Sequence, residues 1–197
     1  MDRVGPSVTD PDFALTLVDP EPAKTGAMLN RFRSDQEVQT DPSFIEAVVR
    51  RFGPISFDLA ASPENAQAPK YFTREQNALA QDWTQLEGTL WLNCEFGSCD
   101  VWSRKCANSA AAPHRFQRIL LLTPAAIGTE WFAQNVHRKA FVLALRGRLT
   151  FVGQVDPFPK CLMLSVYGDG LSGLDVWDWT GRHADDYTRA QKRLFDL

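Results

Sequence analysis

The sequence predicts an α/β fold built on a mostly parallel sheet with an antiparallel edge. Three observations predict it. Between residues 42 and 145, short apolar runs alternate with segments of helical period, which is the pattern of strand–helix–strand crossovers. Ile119, Leu120, Leu121 and Leu122 form an unbroken apolar run, as a strand buried on both faces requires. After residue 149 three strand candidates follow one another with no helical segment between them, and this suggests the antiparallel edge.

The elements follow in order. Thr40 or Asp41 can cap a helix that holds Pro42 in its first turn. Phe44, Ile45, Val48, Val49 and Phe52 recur at helical spacing, and Gly53 with Pro54 stops the helix. Residues 55–59 form a short strand candidate, and 60–69, small, polar and proline-containing, a loop. Residues 73–82 have room for a turn of helix. Residues 88–93 read as a strand bounded by a turn, 101–112 as an alanine-rich helix, and 118–123 as the buried strand. Residues 129–139 suit a helix and 140–145 another apolar strand. The closing strand candidates are 149–152, 162–167 and 176–179.

Length and composition bound the function. The chain has 197 residues, 44% hydrophobic and 23% charged, enough apolar surface for one ordinary domain and too much for wholesale disorder. Residues 1–37, broken by Pro6, Pro11, Pro20 and Pro22, read as a flexible acidic tail, and residues 38–197 as a single domain. No apolar run approaches ~18 residues, so no spanning helix is expected. The polar, acidic start lacks the pattern of a secretory leader, and the expectation is a cytoplasmic protein with reduced thiols. Cys94, Cys99, Cys106 and Cys161 contain no CxxC pair, and only His114 lies near the first three. No metal site is expected.

The net charge is −3, and its distribution says more than its sum. Residues 1–37 hold seven acids and four bases, which leaves 17 of each sign in the remainder. Within that remainder, residues 103–118 and 137–148 contain no acid. The first stretch carries Arg104, Lys105, Arg115 and Arg118, and the second Arg138, Arg146 and Arg148. Two such stretches fit either solvated faces or contact with phosphates.

Two strand ends carry chemistry-bearing residues, and ligands of such sheets bind beyond the carboxyl ends of strands. The first is Asp58 followed by Leu59, Ala60, Ala61 and Ser62. There a carboxylate can accept ligand hydroxyls and small residues allow close approach to the backbone; a local cap on the loop is the alternative. The second is Asn93, Cys94, Glu95 and Phe96. An amide leaving a buried strand can accept from the amino group of a planar base, and a ring three positions later can stack on its face. The alternative is an asparagine in a turn and a phenylalanine in the core. P-loop and Ser-His-Asp patterns are absent, which leaves nucleotide triphosphatase and hydrolase readings without support.

Together these stretches resemble the phage DNA adenine methyltransferase family. The resemblance covers residues 40–179 in order. It is carried by Thr40 to Phe44, by Phe57 to Ala66, by Tyr71, Phe72 and Thr73, and by Asn77 to Trp83. It continues through Leu90 to Asn93, Trp102 to Cys106, Leu120 to Phe132, Gly147 to Phe151, and Asp175 to Trp177. It implies a Rossmann-like fold that binds S-adenosylmethionine, in a phage or prophage protein acting on DNA. It places Asp58, Ala60 and Asn65 in the cofactor loop, Asp82 and Trp83 near the adenosine, and Thr40 and Pro42 over the cofactor. The family's catalytic tetrapeptide, Asp or Asn, two prolines, then an aromatic, maps onto Asn93, Cys94, Glu95 and Phe96. The outer residues match and both prolines are replaced. The implied activity is methyl transfer to the exocyclic amino group of a flipped adenine, with Arg104, Lys105, Arg115, Arg118, Arg138 and Arg148 meeting phosphates. Two alternatives stay open on these residues. One is a non-catalytic descendant that binds DNA or cofactor. The other is an enzyme of altered chemistry, in which a Cys94 thiolate and Glu95 act on a pyrimidine ring.

Overall fold

The computed structural model of the protein describes residues 39–168 and 170–181. The expected tail lies outside the described residues, as does the end of the chain beyond residue 181.

The helix α1, Pro42–Phe52, forms where the punctuation places it. The Asp41 carboxylate accepts from the Ser43 N–H at 2.8 Å, Pro42 occupies the first turn, and Gly53 at φ 82° ends the helix. Its apolar stripe, Phe44, Ala47, Val48 and Phe52, is buried. Phe44 is wholly enclosed, and its truncation to alanine would cost about 3–5 kcal/mol.

The strands are β1 (Ile55–Asp58), β2 (Gly88–Asn93), β3 (Phe116–Pro124), β4 (Phe141–Arg146), β5 (Leu162–Tyr167) and β6 (Gly173–Asp178). They form one sheet in the order β1-β2-β3-β5-β4-β6. The β1–β2, β2–β3 and β4–β6 pairs are parallel, and β5 runs antiparallel to both β3 and β4. Five strands therefore run one way and β5 alone is reversed. The sheet is mostly parallel, as the apolar run of β3 predicts. The expected antiparallel edge is corrected: the reversed strand lies inside the sheet, and the edge strand β6 is parallel to its neighbour. All six residues of β5 are buried, which suits an interior strand.

Side-chain alternation divides the core between two faces. Leu120, Leu122, Leu143, Leu164 and Trp91 pack beneath α1. Leu90, Leu92, Ile119, Leu121, Val142, Met163 and Tyr167 face the helix α2, Cys99–Ala111, and the short helix α3, Glu130–Asn135. A polar tie joins that second layer: Asn135 donates to Ser103 Oγ at 3.1 Å, and the Tyr167 hydroxyl donates to the Asn135 carbonyl at 3.1 Å. At the start of β2, Gly88 sits at φ 76°, and a Cβ there would collide with the Ser56 side chain.

The turn of helix expected within 73–82 is present as a 3₁₀ turn, Ala78–Ala80. Two local expectations are corrected. The helix expected over 129–139 ends at Asn135, and residues 136–139 continue as a turn with Arg138 at φ 60°. Residues 149–152 form no strand, although Leu149 and Phe151 are buried as alternation predicts.

Candidate active site

The five parallel strands all deliver their carboxyl ends to one edge of the sheet. Asp58, Asn93, Pro124, Arg146 and Asp178 stand there. This is the edge at which open α/β sheets bind ligands, and both sequence-predicted strand ends lie on it, on adjacent strands.

Asn93 is the last residue of β2 and shares the α1 face of that strand with Trp91, by the alternation of the pleat. Its Nδ2 donates to Thr40 Oγ1 at 3.1 Å. Thr40, 2% exposed, immediately precedes the α1 cap residue Asp41. The bond fixes the amide plane with Nδ2 turned to the protein, so Oδ1 is the atom left to accept from a ligand.

After Asn93 the chain crosses to the other face. Cys94 is buried in the core beneath α2. The neighbouring Cys99 thiol, and then burial, push its own thiol well above the ordinary range. It is therefore a protonated, enclosed group at neutral pH, the opposite of an activated nucleophile. Glu95 follows at φ −58°, ψ 120°, and Phe96 opens a 3₁₀ turn, Phe96–Ser98, that runs into α2. The half-buried Phe96 ring meets Phe158 at 5.2 Å and Phe151 at 6.1 Å, both edge-on, and those two rings meet at 5.8 Å. The Cys99 thiol donates to the Phe96 carbonyl at 3.3 Å.

Asp58 organises the neighbouring loop. Its Oδ2 accepts from the Gln67 N–H at 2.9 Å and its Oδ1 from the Ala60 N–H at 3.2 Å. The residue is 2% exposed, and burial pushes its carboxyl up to about 7 against the opposing pull of those two donors. Within the loop, Asn65 Oδ1 accepts from the Ser62 N–H at 2.7 Å, and Gln67 Nε2 donates back to the Asn65 carbonyl at 2.7 Å. Asp58 thus acts as the local cap, and the partly exposed Ala60 and Ala61 are the surface that the loop presents.

The remaining predicted residues are dispersed. Asp82 is exposed and accepts from the backbone and hydroxyl of Thr84, which holds its carboxyl below the usual range. Trp83 offers no surface to a ligand: it is wholly enclosed, donates to the Ala78 carbonyl at 2.8 Å, and stacks on Trp102 of α2. Lys105 lies over the Trp83 ring and donates to the Gln81 carbonyl at 2.7 Å, which ties α2 to that turn. Arg104 pairs with Asp100 and Arg115 with Glu87, at 2.8 and 2.7 Å. These acids flank the acid-free stretch, so a window drawn along the sequence missed them. Arg115, Arg118 and Arg138 sit before or early in β3 and β4, toward the amino-terminal edge. Arg148 follows β4 at the carboxyl edge and is exposed. The basic residues do not form one face around Asn93.

Residues not singled out for the site complete its surroundings. Phe158 stands between Pro157 and Pro159 in a polar loop, and an aromatic locked between two prolines is a signal that could have marked it. The Cys99 contact left no mark in the sequence beyond the thiol itself. Among the described residues no cluster of His, Cys, Asp or Glu could hold a metal ion.

Comparison with known proteins bears on this arrangement. A DNA N-6-adenine-methyltransferase of Escherichia phage T1 is 30% identical over 100 residues, which cover 51% of this chain and 40% of the relative. The match therefore spans about two fifths of that protein's length. A family model described as DNA N-6-adenine-methyltransferase (Dam) matches residues 30–160, a stretch that runs from before α1 to just before β5 and includes both strand ends. On that match the chain belongs to the Dam family.

Proposed function

We propose that this chain transfers a methyl group from S-adenosylmethionine to the exocyclic amino group of adenine in DNA. One observation supports the reading above the rest. Asn93, half-buried at the carboxyl end of a parallel strand, donates its amide nitrogen to Thr40, which leaves its amide oxygen as the acceptor, with Phe96 three residues on. That geometry suits an amino-bearing base. Family membership supplies the reaction class, and the sheet is read as the Rossmann-like sheet of cofactor-dependent methyltransferases. Residues 38–197 are read as one methyltransferase domain and 1–37 as an appended acidic tail.

The described residues fit the cofactor at the β1 end. Ala60 and Ala61 lack bulk and are partly exposed, so a ligand can approach the 59–67 loop backbone that Asp58 holds in place. The residues that would hold it are that loop and Pro42; Thr40, 2% exposed, would act through its bond to Asn93, and Asp82 would have to reach the cofactor from its separate turn. When bound, S-adenosylmethionine supplies a methyl group on a positively charged sulfur.

The protein's task is orientation, because an aromatic amino group is a poor nucleophile whose lone pair is drawn into the ring. The Asn93 oxygen accepts one amino proton, and the Cys94 carbonyl is read as the acceptor of the second. Phe96 packs on the base. Two acceptors on one nitrogen favour the pyramidal form, whose lone pair points out of the ring plane, and a positioned lone pair replaces a chance encounter. The proton that leaves the amino group passes to water at this strand edge. Arg148 at the same edge meets a phosphate.

The test measures N6-methyladenine by mass spectrometry in DNA from cells that make the protein, with the purified chain and DNA as the second arm. Methyladenine that vanishes in Asn93→Ala, while S-adenosylhomocysteine binding persists by calorimetry, is the expected result. Cofactor and DNA binding without any methylated base would replace this reading by the non-catalytic descendant, which loss of both motif prolines favours.

A further inference from the structure

The family's tetrapeptide holds its turn rigid with two proline rings, and this chain has neither. Yet the backbone at Glu95, φ −58° and ψ 120°, lies where a proline ring would fix it. Without the ring this is one of several conformations open to Glu95, so a contact that selects it would take the ring's place.

We propose that the Cys99 thiol is that restraint, a positioning residue that holds the 93–96 segment in its working shape through the Phe96 carbonyl. The inference rests on the methyl-transfer reading of that segment. Two hydrogen bonds carry it. Cys99 Sγ donates to the Phe96 carbonyl at 3.3 Å, and the Ser98 N–H donates to the Glu95 carbonyl at 3.0 Å. Residue 96 is thus tied to residue 99, and residue 95 to residue 98. Cys99 is itself the first residue of α2, a helix of 13 residues anchored in the core by Trp102 and Cys106. The turn inherits the rigidity of the helix. A side chain at the helix start does by hydrogen bonding what the missing rings do by covalent constraint.

The position suits no other role. Cys99 is 5% exposed, too enclosed to meet a base. Its sulfur is engaged with the Phe96 carbonyl, and the group it holds is the backbone of the stacking residue.

The test uses the full chain and four variants: Cys99→Ala, Cys99→Ser, Glu95→Pro, and Cys99→Ala combined with Glu95→Pro. Removal of the donor should lower kcat for methyl transfer by about 10- to 100-fold, the scale of an ångström-sized misplacement. KM for S-adenosylmethionine should change by less than about twofold, because binding energy shared by ground and transition states is untouched. Serine keeps a donor and should recover most of kcat. Glu95→Pro should rescue the alanine variant, since a ring restores the same φ; a merely structural loss of packing at residue 99 would not be repaired this way. Amide hydrogen exchange over residues 95–99 is the readout that does not need activity. It should quicken at least 10-fold in Cys99→Ala and slow again in the double variant. Unchanged exchange and kcat in Cys99→Ala, or a double variant as slow in turnover as the single one, would overturn the inference. A wild-type chain with no methyl transfer but the expected exchange pattern would sink the proposed reaction and uphold the restraint.

Discussion

The Asn93 amide nitrogen donates to the Thr40 hydroxyl at 3.1 Å across 53 positions of sequence, which joins the end of β2 to the start of α1. Thr40→Val keeps the shape and removes the acceptor. A part-buried donor left unmet costs about 1–3 kcal/mol, and the amide plane is released. The expected outcome is a lowered urea midpoint at unchanged slope, with a fall in kcat of about 10-fold or more. Unaltered turnover in a fully folded variant would show that Asn93 needs no orienting partner.

Asp58 gives the protein a pH dependence with a definite sign. Its folded carboxyl titrates at about 7 against an ordinary value of 3.8, so the native state binds more protons than the unfolded chain between those limits. The stability that this proton gives is full below about pH 4 and is lost as pH rises through about 7. Urea titrations from pH 4.5 to 8 should show a decline on the order of a few kcal/mol, and Asp58→Asn should flatten it. A wild-type profile that is level, or that rises with pH, would contradict this assignment.

Phe158 supports the stacking residue from the side of the 147–160 loop. Phe158→Ala removes edge-on contacts with Phe96 and Phe151, each worth about 0.5–1.5 kcal/mol beyond area burial. A thermal midpoint lowered by several degrees is expected, with a larger loss in DNA affinity than in cofactor affinity. Phe158→Leu should recover the stability and only part of the DNA affinity.

The two edges of the sheet make opposite forecasts for charge reversal. Arg148→Glu, at the carboxyl edge, should weaken DNA binding and flatten the log-affinity against log-salt slope by roughly one unit for a lost phosphate contact. Arg138→Glu, at the far edge, should leave that slope where it is. Fluorescence anisotropy with a short duplex at several salt concentrations separates the two. Equal effects would place the DNA across the amino-terminal edge as well.

What was legible in the sequence was local. Pro42 and Gly53 bracket α1, and an apolar run between Gly88 and Asn93 marks β2, because such residues act on the backbone within a turn or two. Asn93 and Phe96 were legible for the same reason, as neighbours in one short segment. The insertion of β5 between β3 and β4 was not, since pairing across the sheet depends on partners tens of residues away. Residues 149–152 show the limit most clearly. Their alternation does report burial of Leu149 and Phe151. However, the Val152 N–H goes to the Gln39 carbonyl and the Leu149 carbonyl to the Phe158 N–H, so no neighbouring strand completes a ladder. The basic stretches failed for a related reason, because charge windows along the chain do not see Glu87 beside Arg115.

The reversed strand has a consequence for how this chain is made. β3 and β4 do not touch directly; each pairs with β5, the fifth strand in chain order. As the chain leaves the ribosome, β3 and β4 emerge first, and each exposes a long apolar edge of unpaired N–H and C=O groups. Nothing in the nascent chain can cover both until residues 162–167 follow. Synthesis at about 5–20 residues per second leaves that gap open for seconds. A chain arrested with residues 1–150 clear of the ribosome would therefore hold β1–β3 and a separate β4, with β3 open on one side and β4 on both, a target for chaperones and for strand-on-strand aggregation. The six buried residues of β5 act as the keystone that closes it.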